Sequence, residues 1–167
     1  QILADLLTPV LAWTHLSLSS SYAFLLESVE KGNNYSIYSY LGIDPNKIIT
    51  HSNGLTKEII DTHTQIIDKP FIELLKSIRN EYNLNQIPEL PSFSGGLVGY
   101  MGYETISWFE DIPIKEDSDL NIPDSIFMLY EDIIIFDHLK GTVFIVSNTK
   151  IDTKISLKSQ YEKSKKR

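Results

Sequence analysis

Two short reversals constrain this chain more than any other feature in it. Asn53-Gly54 stands between Lys47-Ile48-Ile49-Thr50-His51 and Glu58-Ile59-Ile60-Asp61, and His138-Leu139-Lys140-Gly141 joins the β-branched runs 126–137 and 142–148. An Asn-Gly pair tolerates the positive φ that a two-residue hairpin turn demands. Strands joined so tightly are antiparallel, because parallel neighbours need a crossover of a dozen residues or more. A third run, residues 64–67, extends the first meander. The clearest helix follows it. Phe71, Leu74, Leu75, Ile78 and Tyr82 keep helical spacing from Pro70, in the first turn, to Asn83. Strands, helix, strands, helix, with hairpins in place of βαβ units, predict an α+β fold whose mainly antiparallel sheet is flanked by helices.

Residues 24–45 concentrate the features that suggest a binding site. Apolar or small residues, Ala23 to Leu26, lead to a carboxylate beside a hydroxyl at Glu27 and Ser28. Lys31-Gly32-Asn33-Asn34 signals a reversal, and Tyr35, Ile37, Tyr38, Tyr40 and Leu41 then run to Gly42 and Asp44-Pro45. This reads as a strand pair with a polar doublet near its start. Apolar walls with a few fixed polar groups make a small-molecule pocket, and the edge of a β core carries the same pattern. Upstream, Thr8-Pro9 marks a turn and residues 10–16 read as a strand. Four serines within residues 17–21 offer caps for a helix reaching about Leu26, a reading that overlaps the strand pair. Residues 110–123, acidic and proline-containing, read as a solvated excursion, and residues 155–167 as a helix with a basic end.

A chain of 167 residues suffices for one domain, or one lobe of a larger protein. At that size roughly 70% of the unfolded surface is buried on folding, so no covalent staple is needed. Cysteine is absent, which excludes disulfides, thiolate metal sites and cysteine nucleophiles. A net charge of −7 argues against a nucleic-acid partner, since the basic residues cluster only at Lys163, Lys165, Lys166 and Arg167. No apolar run approaches the roughly 20 residues that span a bilayer, and no signal peptide is visible; a reducing cytoplasm is the simplest fit. The first residue is Gln1, so a trimmed, processed or partial polypeptide is expected.

No catalytic constellation stands out among the residues. Four of the eight glycines fall within residues 95–102, but the spacing Gly96-x-x-Gly99-x-x-Gly102 is not that of a phosphate loop, and no Gly-Lys-Ser/Thr follows. Glycines interleaved with Val, Tyr and Met instead mark a strand that another backbone approaches closely. His15, His51, His63 and His138 are scattered, and no HExxH pair or Gly-x-Ser-x-Gly elbow occurs. Asp137 and His138 are adjacent, so on a strand they face opposite ways and do not orient one another. Glu131-Asp132 reads as one exposed and one paired carboxylate inside a strand. Trp13, Trp108 and Phe109 are candidates for ring stacking, with core or lobe-interface burial as the default. These residues assign no catalytic group and no metal ligand.

Four stretches in collinear order carry a resemblance. They are Leu25-Leu26-Glu27-Ser28, Tyr38-Ser39-Tyr40-Leu41-Gly42-Ile43-Asp44-Pro45, the glycine segment 95–104, and Phe136-Asp137-His138, with Thr8-Pro9 near the start. Together they resemble the N-terminal half of the anthranilate synthase component I family, over about residues 8–150. Ile37 departs from that pattern, where the family usually carries arginine. The resemblance implies that residues 1–167 form a single N-terminal domain, one lobe of a two-part enzyme fold. The parent enzyme would be a lyase making anthranilate and pyruvate from chorismate, with magnesium and with ammonia from a glutamine amidotransferase subunit. Chorismate and magnesium would bind the C-terminal half, absent here, leaving this segment non-catalytic and without a cofactor. It would contribute the feedback site for L-tryptophan, through Leu26, Glu27, Ser28, Tyr38 and Ser39. An ammonium suits Glu27, a hydroxyl such as Ser28 donates or accepts, and an indole wants an apolar slot. The paralogous aminodeoxychorismate synthase component I shares the pattern, although Leu-Leu-Glu-Ser followed by Tyr-Ser-Tyr-Leu-Gly favours anthranilate synthase. Isochorismate and salicylate synthases share less of it. A non-catalytic scaffold or interaction lobe is the alternative of a different class.

Overall fold

The computed structural model describes residues 2–3, 7–27, 37–82, 87–113 and 122–166. It divides into two compact units, one formed by Gln1–Pro45, Leu84–Gly96 and Tyr130–Arg167, the other by Asn46–Asn83 and Leu97–Leu129. Each has its own five-stranded sheet, antiparallel as the hairpin signals predict. Among the described residues no helix is long and apolar enough to cross a membrane.

In the first unit the sheet runs β1 (Ile2–Leu3), β10 (Thr142–Ser147), β9 (Asp132–Asp137), β3 (Tyr38–Ile43), β2 (Ala23–Leu26). Helix α1 (Pro9–Leu16) packs Ala12 against Leu41, Phe136 and Val143, with Trp13 and Leu16 alongside. A strand was expected over residues 10–16, and the structure corrects this. Thr8 Oγ1 accepts the Leu11 N–H at 3.1 Å and Pro9 fills the first turn, so the Thr-Pro pair starts a helix. An apolar run this short does not reveal its period; Pro9, Ala12, Trp13 and Leu16 become one face only against a sheet. The helix expected to reach Leu26 is also absent. After a 3₁₀ turn at Ser17–Ser19, Ser20 Oγ donates to Tyr22 O at 2.7 Å and accepts the Asp44 N–H at 3.1 Å. A serine side chain engaged in this way competes with helical backbone bonds, and β2 begins at Ala23.

The second unit orders its strands β6 (His63–Ile67), β5 (Leu55–Ile60), β4 (Lys47–Ser52), β8 (Ser125–Tyr130), β7 (Gly96–Met101). Asn53 and Gly54 both hold positive φ, 50° and 75°, as the β4–β5 turn requires. Helix α2 (Phe71–Glu81) buries Phe71, Leu74 and Ile78 against Ile49 and Leu129, as its spacing predicts. Buried Glu58 is paired with Lys47 Nζ at 2.6 Å and accepts from Gln65 Nε2 at 2.6 Å. Strand β7 confirms the close-approach reading of the glycines, since a Cβ on Gly99 would lie 1.9 Å from Ile126 O.

The run 126–137 is not one strand. β8 and β9 belong to different sheets and part at Glu131, which therefore lies outside any strand. Asn148 marks the break, its backbone N–H and side-chain Nδ2 both donating to Glu131 O at 2.9 Å. The predicted C-terminal helix is α3 (Leu157–Ser164), capped by Ser156 Oγ. The excursion expected over 110–123 falls mostly outside the described residues, as do Asn83 and the reversal expected at Lys31 to Asn34.

Candidate functional site

The register of β2 on β3 explains why the two motifs of residues 24–45 belong together. Leu26 lies opposite Tyr40, Leu25 opposite Leu41 and Phe24 opposite Gly42. Directly opposed residues share a face, and alternate residues share it along a strand. Leu26, Tyr38 and Tyr40 therefore stand on one face, while Ser39 and Leu41 stand on the face that α1 covers. The Tyr38 and Tyr40 rings lie 6.2 Å apart, and the Phe93 ring meets Tyr40 edge-on at 5.4 Å. Glu27 follows Leu26 and is exposed, as Leu26 is, whereas Ser28 lies outside the described residues. Of the five predicted residues, the structure brings Leu26 and Tyr38 to one aromatic face with Glu27 next in the chain. It sends Ser39 to the other face.

Ser39 is 0% exposed, and its hydroxyl shares a 2.7 Å hydrogen bond with His138 Nε2. The His138 backbone N–H also donates to Ile37 O at 2.8 Å. Sequence reasoning missed this contact, because the partners are 99 residues apart. The signal was present in Phe136-Asp137-His138, each member of which has its own task. Phe136 enters the core, Asp137 Oδ1 accepts the Lys140 N–H at 2.9 Å to shape the hairpin, and His138 reaches β3. A serine bonded to an imidazole has the form of an activated nucleophile. Full burial of Ser39 denies it a substrate, so the pair acts by joining β3 to the hairpin.

Burial favours the neutral phenol at Tyr40 and Tyr130. Burial raises the Tyr40 pKa, with Tyr38 adding to the effect. Burial, helped by the charge of Asp44, pushes Tyr130 up to about 12. In the second unit His51 Nδ1 lies 2.9 Å from Thr56 Oγ1, and its ring meets those of Trp108 and Phe71 edge-on at 4.8 and 5.6 Å. Burial lowers its pKa against the opposing pull of Asp124. Trp13 and Trp108 thus serve packing, while Phe109 is exposed. Among the described residues no three His, Asp or Glu side chains gather as metal ligands.

Residues 21–166 match the family described as chorismate binding enzyme. The chain belongs to that family. It is 31% identical over 157 residues to anthranilate synthase component 1 of Acetivibrio thermocellus, covering 93% of this chain and 31% of that protein. It is 34% identical to the Synechocystis anthranilate synthase component 1, covering 86% of this chain and 29% of the relative. The probable anthranilate synthase component 1 of Schizosaccharomyces pombe is also 34% identical, over 95% of this chain and 30% of its own length. The crystal structure of anthranilate synthase component I from Streptococcus pneumoniae superposes with a TM-score of 0.63 at 26% identity, covering 99% of this chain and 35% of that one. The α+β architecture is thus that of a known family member. The chain spans about a third of the length of these relatives.

Proposed function

We propose that this chain is the N-terminal regulatory part of an anthranilate synthase component I and carries its L-tryptophan feedback site. The parent enzyme would convert chorismate and ammonia to anthranilate and pyruvate, the ammonia coming from a glutamine amidotransferase subunit. The observation that supports the site is the face shared by Leu26, Tyr38 and Tyr40, with exposed Glu27 following Leu26. An aromatic face accepts an indole, and a carboxylate beside it accepts the ammonium of an amino acid. Ser39 takes part from behind the strand rather than by contact. The parent enzyme would use magnesium, bound with chorismate in its C-terminal half. Feedback then needs tryptophan to favour one arrangement of the enzyme; a coupling of roughly 1–3 kcal/mol changes affinity at the other site about 5–150-fold.

The full-length gene product, given chorismate and ammonia, is expected to release fluorescent anthranilate and to be inhibited by L-tryptophan. Formation of aminodeoxychorismate instead would assign it to the paralogous enzyme. Glu27→Ala and Ser28→Ala should each raise the half-inhibitory tryptophan concentration by about 10–100-fold, the worth of a charge-assisted hydrogen bond. Unchanged inhibition in both variants, with normal turnover, would remove the site from this segment.

A further inference from the structure

The start of β3 is held on its β9 side. Pairing with β2 ends at Leu26 and Tyr40, whereas pairing with β9 continues through Ser39 and Phe136 to Tyr38 and Asp137. Beyond that last pair, His138 takes over. Its backbone N–H binds Ile37 O at 2.8 Å and its ring nitrogen binds Ser39 Oγ at 2.7 Å. The two anchored residues flank Tyr38. Ser39 on the α1 side and Tyr38 on the opposite side are successive residues of one pleat, so fixing the first fixes the direction of the second. The turn that presents His138 is itself held, since buried Asp137 accepts the Lys140 N–H and Gly141 supplies a φ of 60°.

We infer that His138 is a positioning residue for the effector site: by clasping Ile37 and Ser39 it holds Tyr38 in the direction that an aromatic amino acid meets. The inference rests on the reading under Proposed function and adds a residue that touches no ligand itself. It also accounts for a fully buried serine hydroxyl within a segment assigned to binding.

The test uses the full-length enzyme and the inhibitor L-tryptophan. His138→Ala should raise the half-inhibitory concentration about 3–10-fold, the scale of one lost hydrogen bond, and by more than any change in kcat/KM for chorismate. Ser39→Ala should have a similar effect, and the double variant should be no worse than either single one, since all three remove the same bond. His138→Gln, whose amide can donate or accept at the same reach, should restore most of the sensitivity. Wild-type sensitivity in His138→Ala and Ser39→Ala would overturn the inference while leaving the site intact. So would additive effects in the double variant, or a loss of kcat/KM in step with the loss of inhibition. A wild-type enzyme that tryptophan does not inhibit, or one whose inhibition ignores Glu27→Ala and Ser28→Ala, would instead sink the underlying reading, and this inference with it.

Discussion

At Gly42 a missing methyl group lets two rings close over the strand. A Cβ there would lie 2.4 Å from Phe24 Cε1 and 2.9 Å from Tyr130 Cδ1, two rings that already meet edge-on at 4.8 Å. Neither ring can retreat freely, because Phe24 and Tyr130 are both buried. Gly42→Ala is therefore expected to destabilise the protein by about 1–3 kcal/mol, the usual cost of overpacking, read from the midpoint of urea unfolding. The same crowding keeps the Tyr130 phenol protonated well into the alkaline range. At this scale the sequence was partly legible. Alternation alone sends Tyr38 and Ser39 to opposite faces, but nothing local says that Ser39 meets His138 or that Phe24 lies on Gly42. Both facts depend on register, which a single strand does not encode.

Elements were most legible where one signal had only one physical solution. The spacing of Phe71, Leu74 and Ile78 makes a helix with a single apolar stripe, and that stripe is what α2 buries. Ile78→Ala should cost about 2–5 kcal/mol in chemical denaturation, as for other buried aliphatic truncations, whereas exposed Lys76→Ala on the same helix should stay within about 0.5 kcal/mol. Equal effects from the two substitutions would mean that this face does not carry the packing. Residues 10–16 show the opposite case. Val10, Trp13, Thr14 and Leu16 suit a strand or a helix, and the cap at Thr8 together with the sheet beneath Ala12 decides for the helix.

For the whole molecule, the two sheets divide the tasks of the fold. The motifs at 25–28, 38–45 and 136–138 all converge on the first unit, while α2 and most of the glycine strand belong to the second. The chain spans about a third of its relatives' length, and in the proposed reading the remainder of the enzyme supplies part of the wall of the tryptophan site. Calorimetric titration of this 167-residue chain with L-tryptophan is accordingly expected to give no saturable heat, or a Kd at least about tenfold weaker than the full-length enzyme's. Binding as tight as in the full-length enzyme would show that the remainder contributes no wall to the site. The sequence by itself determined the hairpins at Asn53-Gly54 and at 138–141, helix α2 and the antiparallel α+β class, because turn dihedrals and helical period are properties of neighbouring residues. Only the tertiary structure decided that 10–16 is helical, that the run 126–137 breaks at Glu131 between two sheets, and that His138 clasps β3. Each of those outcomes depends on what a distant segment places against the chain, which local preference, worth a few tenths of a kcal/mol to about 1 kcal/mol per residue, is too weak to dictate.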